Sequence, residues 1–179
     1  MFIRSERLFL RPGWPEDSEE LLALIDDAEA VRNLSGKPWP FAADTAPRPG
    51  RRPLPRYCVT LPSAEGTRLI GSIGLSRAAE DVELSCWIAR AYWRQGYGTE
   101  AARAILAQAR ALGLRRIVAY RFVDDPASDH MLVKAGFTST GSVQPHYCAA
   151  RGGLEPAENY IAELAQCGSQ DDGAAIRAA

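Results

Sequence analysis

Cysteine and histidine are scarce in this chain, and their spacing excludes several classes of protein. The four cysteines, Cys58, Cys86, Cys148 and Cys167, form no CxxC pair and stand near no histidine in a zinc-ligand pattern. A disulfide framework is therefore not expected, and neither is a metal site; the thiols read as free and buried or half-buried. The only histidines are His130 and His146. Long apolar runs are also missing: none reaches the ~20 residues of a spanning helix. The start, "MFIRSERLFLRP", is interrupted by Arg4, Glu6, Arg7 and Arg11, so it lacks the apolar centre of a secretory signal. A cytoplasmic location is expected. Neither sign of charge is in excess, since 21 basic and 22 acidic residues leave a net charge of -1. No nucleic acid and no anionic membrane is expected as a partner.

What is present fits one α+β domain of the 179 residues, with residues 1–165 folded and 166–179 as a fraying tail. "ERLFLRP" alternates polar and apolar residues and reads as a first strand. Ser18 to Leu34 carries leucines and isoleucine at helical spacing, with Asp17 or Ser18 as the cap. Gly36 to Arg56 is crowded with Pro, Gly and Arg and reads as a long loop, functional or disordered, with room for a short helical piece. "YCVTLP", "LIGSIGLS" and "VELSCWIA" read as an antiparallel meander. A helix from Thr99 to Leu112, ending at Gly113, precedes the strand "RRIVAYRF". A short helix, "PASDHMLVKAG", then leads to "FTSTGSVQPHYC", which begins as a strand, and to a last strand, "ENYIAELA". The result is a mixed sheet flanked by helices.

The stretch "YWRQGYGTEAARAIL" places Gly96 and Gly98 where a helix is about to begin. Glycine is a poor helix former, so its presence there asks for a reason. Without a Cβ, these residues let a ligand approach the backbone. The first N–H groups of the helix lack partners and carry the positive end of its dipole. Together they make an anion site suited to a pyrophosphate. A tight turn into a helix explains the same glycines. The spacing is not GxGxxG, and no GKS or GKT is present, which counts against a nucleotide P-loop.

This stretch resembles the acetyl-CoA-binding segment of the GNAT acetyltransferases, through Trp93, Gly96, Gly98 and Thr99-Glu100-Ala101. Trp93 resembles most the branch that acetylates ribosomal-protein N-termini, the Rim-type branch, and its relatives. "SERLFLRP", "LIGSIGL" and "VDDPASDHMLVKAGF" resemble further family segments in the right order, over roughly residues 3–165. The resemblance implies a mixed central sheet with two splayed parallel strands, "VELSCWIA" and "RRIVAYRF". It implies acetyl-CoA as cofactor, CoA as product, and an amine of a small molecule or of a peptide or protein N-terminus as acceptor. A homodimer is common in the family.

Residue by residue, the implied cofactor contacts are Cys86, Trp87 and Ile88 on the first splayed strand, and Arg94, Gln95, Gly96, Tyr97, Gly98 and Thr99 in the loop. Asp125, Ser128 and Lys134 follow in the later segment. Asp125 stands where the family has Asn; an ionised Asp cannot donate a hydrogen bond, and capping the next helix is its other reading. Glu83 is the candidate general base, with a plain surface role as the alternative. Ser128 is the nearest hydroxyl for the leaving thiolate, since Leu132 stands where relatives often carry a tyrosine acid. Trp39, Phe41, Tyr57 and Tyr147 would form an aromatic acceptor wall or core, and Arg48, Arg51, Arg52 and Arg56 would meet an acidic partner or keep the loop soluble. A non-catalytic CoA-responsive or protein-interaction module with the same fold is the alternative function.

Overall fold

Where the sequence suggests one opening strand, the chain forms a hairpin. In the computed structural model, β1 (Ile3–Arg4) pairs antiparallel with β2 (Phe9–Arg11), and Glu6 and Arg7 lie in the bend between them. The structure describes residues 2–25, 27, 32–33, 53–64 and 66–164. Trp39, Phe41, Arg48, Arg51, Arg52, Cys167 and the tail expected at 166–179 lie outside the described residues.

Helix α1 (Asp17–Ile25) begins differently from the expected cap. The Asp17 carboxylate reaches back to accept from the Trp14 backbone N–H at 2.7 Å, as the third residue of a capping box does. The same carboxylate takes a bidentate grip from Arg11 at 2.6 and 2.7 Å. Both residues are buried, so the pair joins β2 to α1 inside the protein. The Arg11-Pro12 segment noted in the sequence thereby has a structural job.

β3 (Arg56–Ser63), β4 (Gly66–Ala78) and β5 (Asp81–Ile88) form the expected antiparallel meander, and a short 3-10 turn at Arg90–Tyr92 leads onward. Helix α2 (Tyr97–Ala111) starts two residues before the expected Thr99, and Gly113 with φ 79 follows its end. β6 (Arg116–Phe122) and α3 (Pro126–Ala135) come next. β7 (Thr138–Cys148) and β8 (Gly153–Glu163) make a longer hairpin than the sequence suggested. The strand order is β1-β2-β3-β4-β5-β6-β8-β7. Of the neighbouring pairs, β5 and β6 run parallel and the rest antiparallel.

The main core fills the space between one face of this sheet and α2 and α3. Ala101, Ala102, Ile105, Leu106 and Ala109 form the buried stripe of α2, one helical face by spacing. They meet Tyr57, Ile73, Leu75, Leu84, Ile117 and Phe137. Full burial of a side chain such as Ile105 contributes about 1.5–3 kcal/mol. On the opposite face, α1 covers a smaller cluster of Leu21, Cys58, Leu69, Trp87 and Ala89. Among the described residues no helix is long and apolar enough to cross a membrane, and no three metal-ligating side chains gather.

Candidate active site

The fork in the sheet creates the site. β5 and β6 share a single pair, Glu83 with Val118, although β5 continues to Ile88 and β6 to Phe122. Beyond Glu83 the two strands part. A cleft opens between them and runs to the first turn of α2 and to α3. Of the residues expected from sequence, Glu83, Cys86, Trp87, Ile88, Arg94, Gly96, Tyr97, Gly98, Thr99, Asp125, Ser128 and Lys134 line it. Gln95 is not among the lining residues; its side-chain amide turns back to the Ala91 carbonyl at 3.2 Å.

The α2 end of the cleft is built from backbone. Gly96 has φ 80 and ψ 3, a left-handed conformation that a Cβ would strain. The first helical bond runs from the Glu100 N–H to the Gly96 carbonyl, leaving the N–H groups of Tyr97, Gly98 and Thr99 free of helical acceptors. Gly98 has a different reason: a Cβ there would sit 3.3 Å from Met131 Cγ and 3.8 Å from Ile88 Cγ1. The glycine lets α2 pack close to α3 and β5. Arg94 also adopts a left-handed conformation, φ 61, at a strain cost that a non-glycine residue rarely bears.

Two side chains brace this loop. The Trp93 indole N–H donates to the Ile88 carbonyl at 2.6 Å, tying the loop to the end of β5. Arg7, in the β1–β2 bend, donates through Nε to Glu100 at 2.8 Å and through Nη1 to the Gln95 carbonyl at 2.9 Å. Its guanidinium also stacks over the Tyr97 ring at 4.6 Å. Burial pushes the Glu100 carboxyl up, but hydrogen bonds from the Arg7 N–H, the Ser5 hydroxyl and the Arg7 guanidinium outweigh it and hold it below the usual range. Sequence reasoning placed Arg7 and Glu100 in two family segments 93 residues apart but did not pair them. Their opposite charges were the only signal available.

On the α3 side, Asp125 behaves as the capping reading anticipates. Its carboxylate accepts from the Ser128 N–H at 3.1 Å, the Ser128 hydroxyl at 2.6 Å and the Asn33 amide at 2.7 Å. Lys134 stands near the far end of α3, where its carbonyl accepts both Nε and Nη2 of Arg103 from α2. His130 lines the cleft, whereas His146 stacks on Tyr120 with ring centres 3.9 Å apart.

The other end of the cleft is built from strand side chains. Val82 and Leu84 enter the main core, so Glu83 and Ser85 lie on the opposite face of β5, that of Trp87 and α1. Glu83 makes no hydrogen bond or ion pair among the described residues, and burial raises its carboxyl above the ordinary range. Burial pushes the Cys86 thiol up to about 12, which keeps it protonated and unsuited to nucleophilic attack. The aromatic wall does not form from described residues: Tyr57 is buried in the core with its hydroxyl on Gln108, and Tyr147 is exposed on β7.

One cleft thus joins a helix start with free amides to a half-buried carboxylate at a strand fork. The family model described as "Acetyltransferase (GNAT) domain" matches residues 7–138, well over half of the chain. The chain belongs to the GNAT acetyltransferase family. Membership makes it an acetyl-CoA-dependent acetyltransferase. It is 26% identical over 159 residues to the uncharacterized N-acetyltransferase YoaA of Bacillus subtilis strain 168, covering 80% of this chain and 86% of that one. Its fold is similar to a GNAT-family acetyltransferase from Bacillus anthracis, with a TM-score of 0.72, 20% identity, and coverage of 92% and 99%. It is also similar to spermidine N-acetyltransferase from Vibrio cholerae, solved with CoA and spermine, with a TM-score of 0.67, 17% identity, and coverage of 89% and 97%. These GNAT relatives do not separate the Rim-type branch from others.

Proposed function

We propose that this GNAT protein transfers the acetyl group of acetyl-CoA to a primary amine by direct attack in a ternary complex. The observation that carries the reading is the single cleft joining the α2 amides to Glu83 across the fork. The amides at Tyr97, Gly98 and Thr99 hold the pyrophosphate, and Arg94 and Lys134 add positive charge at that rim. Past Glu83 the edge of β5 has no β6 residue in register, and Ser85 and Cys86 there bond the pantetheine arm. Cys86, Trp87 and Ile88 lie on this stretch.

Glu83 takes one proton from the substrate ammonium, directly or through water, and leaves a neutral amine that attacks. Its raised carboxyl brings proton affinity closer to that of a base working near neutral pH. The acetyl carbon bonds nitrogen, its bond to sulfur breaks with the electron pair on sulfur, and the second proton of the nitrogen passes to the departing thiolate. Ser128 donates its hydroxyl to Asp125, so we assign both residues to the α3 cap at the cofactor rim and require no acid from Ser128. The Trp93 to Ala101 run supports a place near the Rim-type branch, and the acceptor is an amine of a small molecule or a peptide N-terminus. Amine-dependent release of CoA thiol from acetyl-CoA, with acetylated amine detected by mass, tests this reading. Release that does not depend on any amine across a broad panel contradicts it.

A further inference from the structure

Strand register brings one unpaired cation onto the floor that carries the base. Arg56 on β3 pairs with Gly74 on β4, Gly74 pairs with Ser85 on β5, and Ser76 pairs with Glu83. Directly opposed residues share a face, as do residues two apart. Arg56, Gly74, Ser76, Ser85 and Glu83 therefore occupy one face of the sheet. It is the face of the cluster under α1, and all five line the cleft.

Gly74 explains how the arginine comes to lie there. A Cβ on Gly74 would stand 2.9 Å from Arg56 Cγ and 3.4 Å from its Cβ. Only the bare glycine lets the arginine stem cross it. Arg56 is half-buried, and it makes no hydrogen bond or ion pair among the described residues. Four other arginines of the cleft face carboxylates: Arg7 with Glu100, Arg32 with Asp124, Arg90 with Asp27 and Arg121 with Glu158. A half-buried guanidinium without a carboxylate is a fork of donors looking for a planar anion. Glu83 is the other unmatched charge on this floor. With one strand between them and a two-residue offset, their Cα atoms stand ~12 Å apart. No ion pair joins them, and a small zwitterion can bridge the gap.

We propose that the acceptor is an amine that also carries a carboxylate, an amino acid in the broad sense. Its ammonium faces Glu83 and its carboxylate is held by Arg56. This inference rests on the acetyl-transfer reading above and narrows the acceptor within it. It disfavours polyamines, whose charge Arg56 repels.

The test is a matched panel: free amino acids, the C-terminal amide of each, and spermidine, with CoA-thiol release as the readout. Wild-type protein should use the best free acid with a kcat/KM at least ~10-fold above its amide, and ~10–10²-fold is the range for losing a charge-assisted bond. Arg56→Met should lower kcat/KM for that acid to the level of the amide, leaving KM for acetyl-CoA unchanged. Arg56→Lys should recover part of the loss. Gly74→Ala, which displaces the arginine stem, should resemble Arg56→Met. The inference is overturned if amides or spermidine match the acids in wild type, if no free acid is used, or if Arg56→Met lowers acid and amide alike. Turnover of amides or spermidine would leave acetyl transfer standing while removing the carboxylate. Absence of acetyl-CoA binding by calorimetry would remove both.

Discussion

At the α2 end of the cleft the inward-facing groups are backbone amides, and the carboxylates nearby are matched. Arg7 answers Glu100, and Asp125 is saturated by Ser128 and Asn33. At the β3–β5 end the inward groups are side chains from three strands, and Arg56 and Glu83 are left without partners among the described residues. One end is finished and waits for an anion of fixed shape. The other carries unspent charge, and there the proposed mechanism selects the acceptor and moves the proton. Binding and chemistry should therefore separate under mutation.

The largest effect is expected from Glu83→Gln. Turnover should fall by about 10²–10⁴-fold, the usual share of general base catalysis, with acetyl-CoA affinity little changed. Part of the loss should return at higher pH, where more amine is already neutral. A variant with near-normal turnover at neutral pH would assign the proton to another group. The same substitution has a stability signature. A carboxyl whose folded value is raised favours folding below its unfolded value and opposes it as pH rises through the folded one. Glu83→Gln should melt above wild type at neutral pH, with the gap closing near pH 4; a gap that widens in acid would contradict the burial argument.

Next in size is the buried Arg11–Asp17 pair, which serves the fold and not the chemistry. Arg11→Met strands a buried carboxylate and should cost about 3–5 kcal/mol in urea unfolding. Burial pushes Asp17 up, but the Arg11 grip and the Trp14 N–H more than offset it and leave it lowered. Its contribution is present above the unfolded Asp value of ~3.9 and is lost as pH falls through the folded value. Asp17→Asn should show a weaker loss of stability over that acid range. Equal acid sensitivity in both proteins would place the titration elsewhere.

The difference between the two ends also explains what could be read from the chain. The anion end is local: Gly96, Gly98 and the start of α2 fall within a few residues, so glycine spacing and helix propensity reveal it. The mixed sheet followed from the order of periodic segments, and the fork from the family resemblance. Glu83, which lines the cleft, was legible as a motif position. Its neighbourhood was not, because Arg56, Gly74 and Ser85 meet only through cross-strand register. Gly74 read as an ordinary strand glycine, and Arg56 as one more basic residue of a long loop. The opening hairpin escaped notice because its first arm, Ile3–Arg4, is too short to show a period, and the Arg7–Glu100 contact that holds the bend spans 93 positions. The reach-back contact of Asp17 was hidden by reading Asp17 as the first capping residue.

Gly96→Val should act on the finished end alone. Placing a side chain at φ 80 costs ~1–2 kcal/mol per residue, enough to raise KM for acetyl-CoA about tenfold, with kcat at saturation near wild type. An unchanged KM would mean that the glycine serves only the turn. The smallest effect is expected from Arg7→Met, because the pair is partly exposed. It leaves the Glu100 carboxylate unmatched beside the anion site, so KM for acetyl-CoA should rise a few-fold with kcat unchanged. Glu100→Gln in the same background should relieve part of that rise. A double variant no better than Arg7→Met would show that Arg7 acts through packing on Tyr97 instead of through charge.

Calorimetric titration of acetyl-CoA into wild type, Gly96→Val and Glu83→Gln tests the division between the two ends most directly. Saturable binding to wild type, similar affinity in Glu83→Gln and clearly weaker affinity in Gly96→Val is the predicted result. No saturable binding to wild type at millimolar acetyl-CoA, or an affinity loss in Glu83→Gln as large as in Gly96→Val, would contradict it.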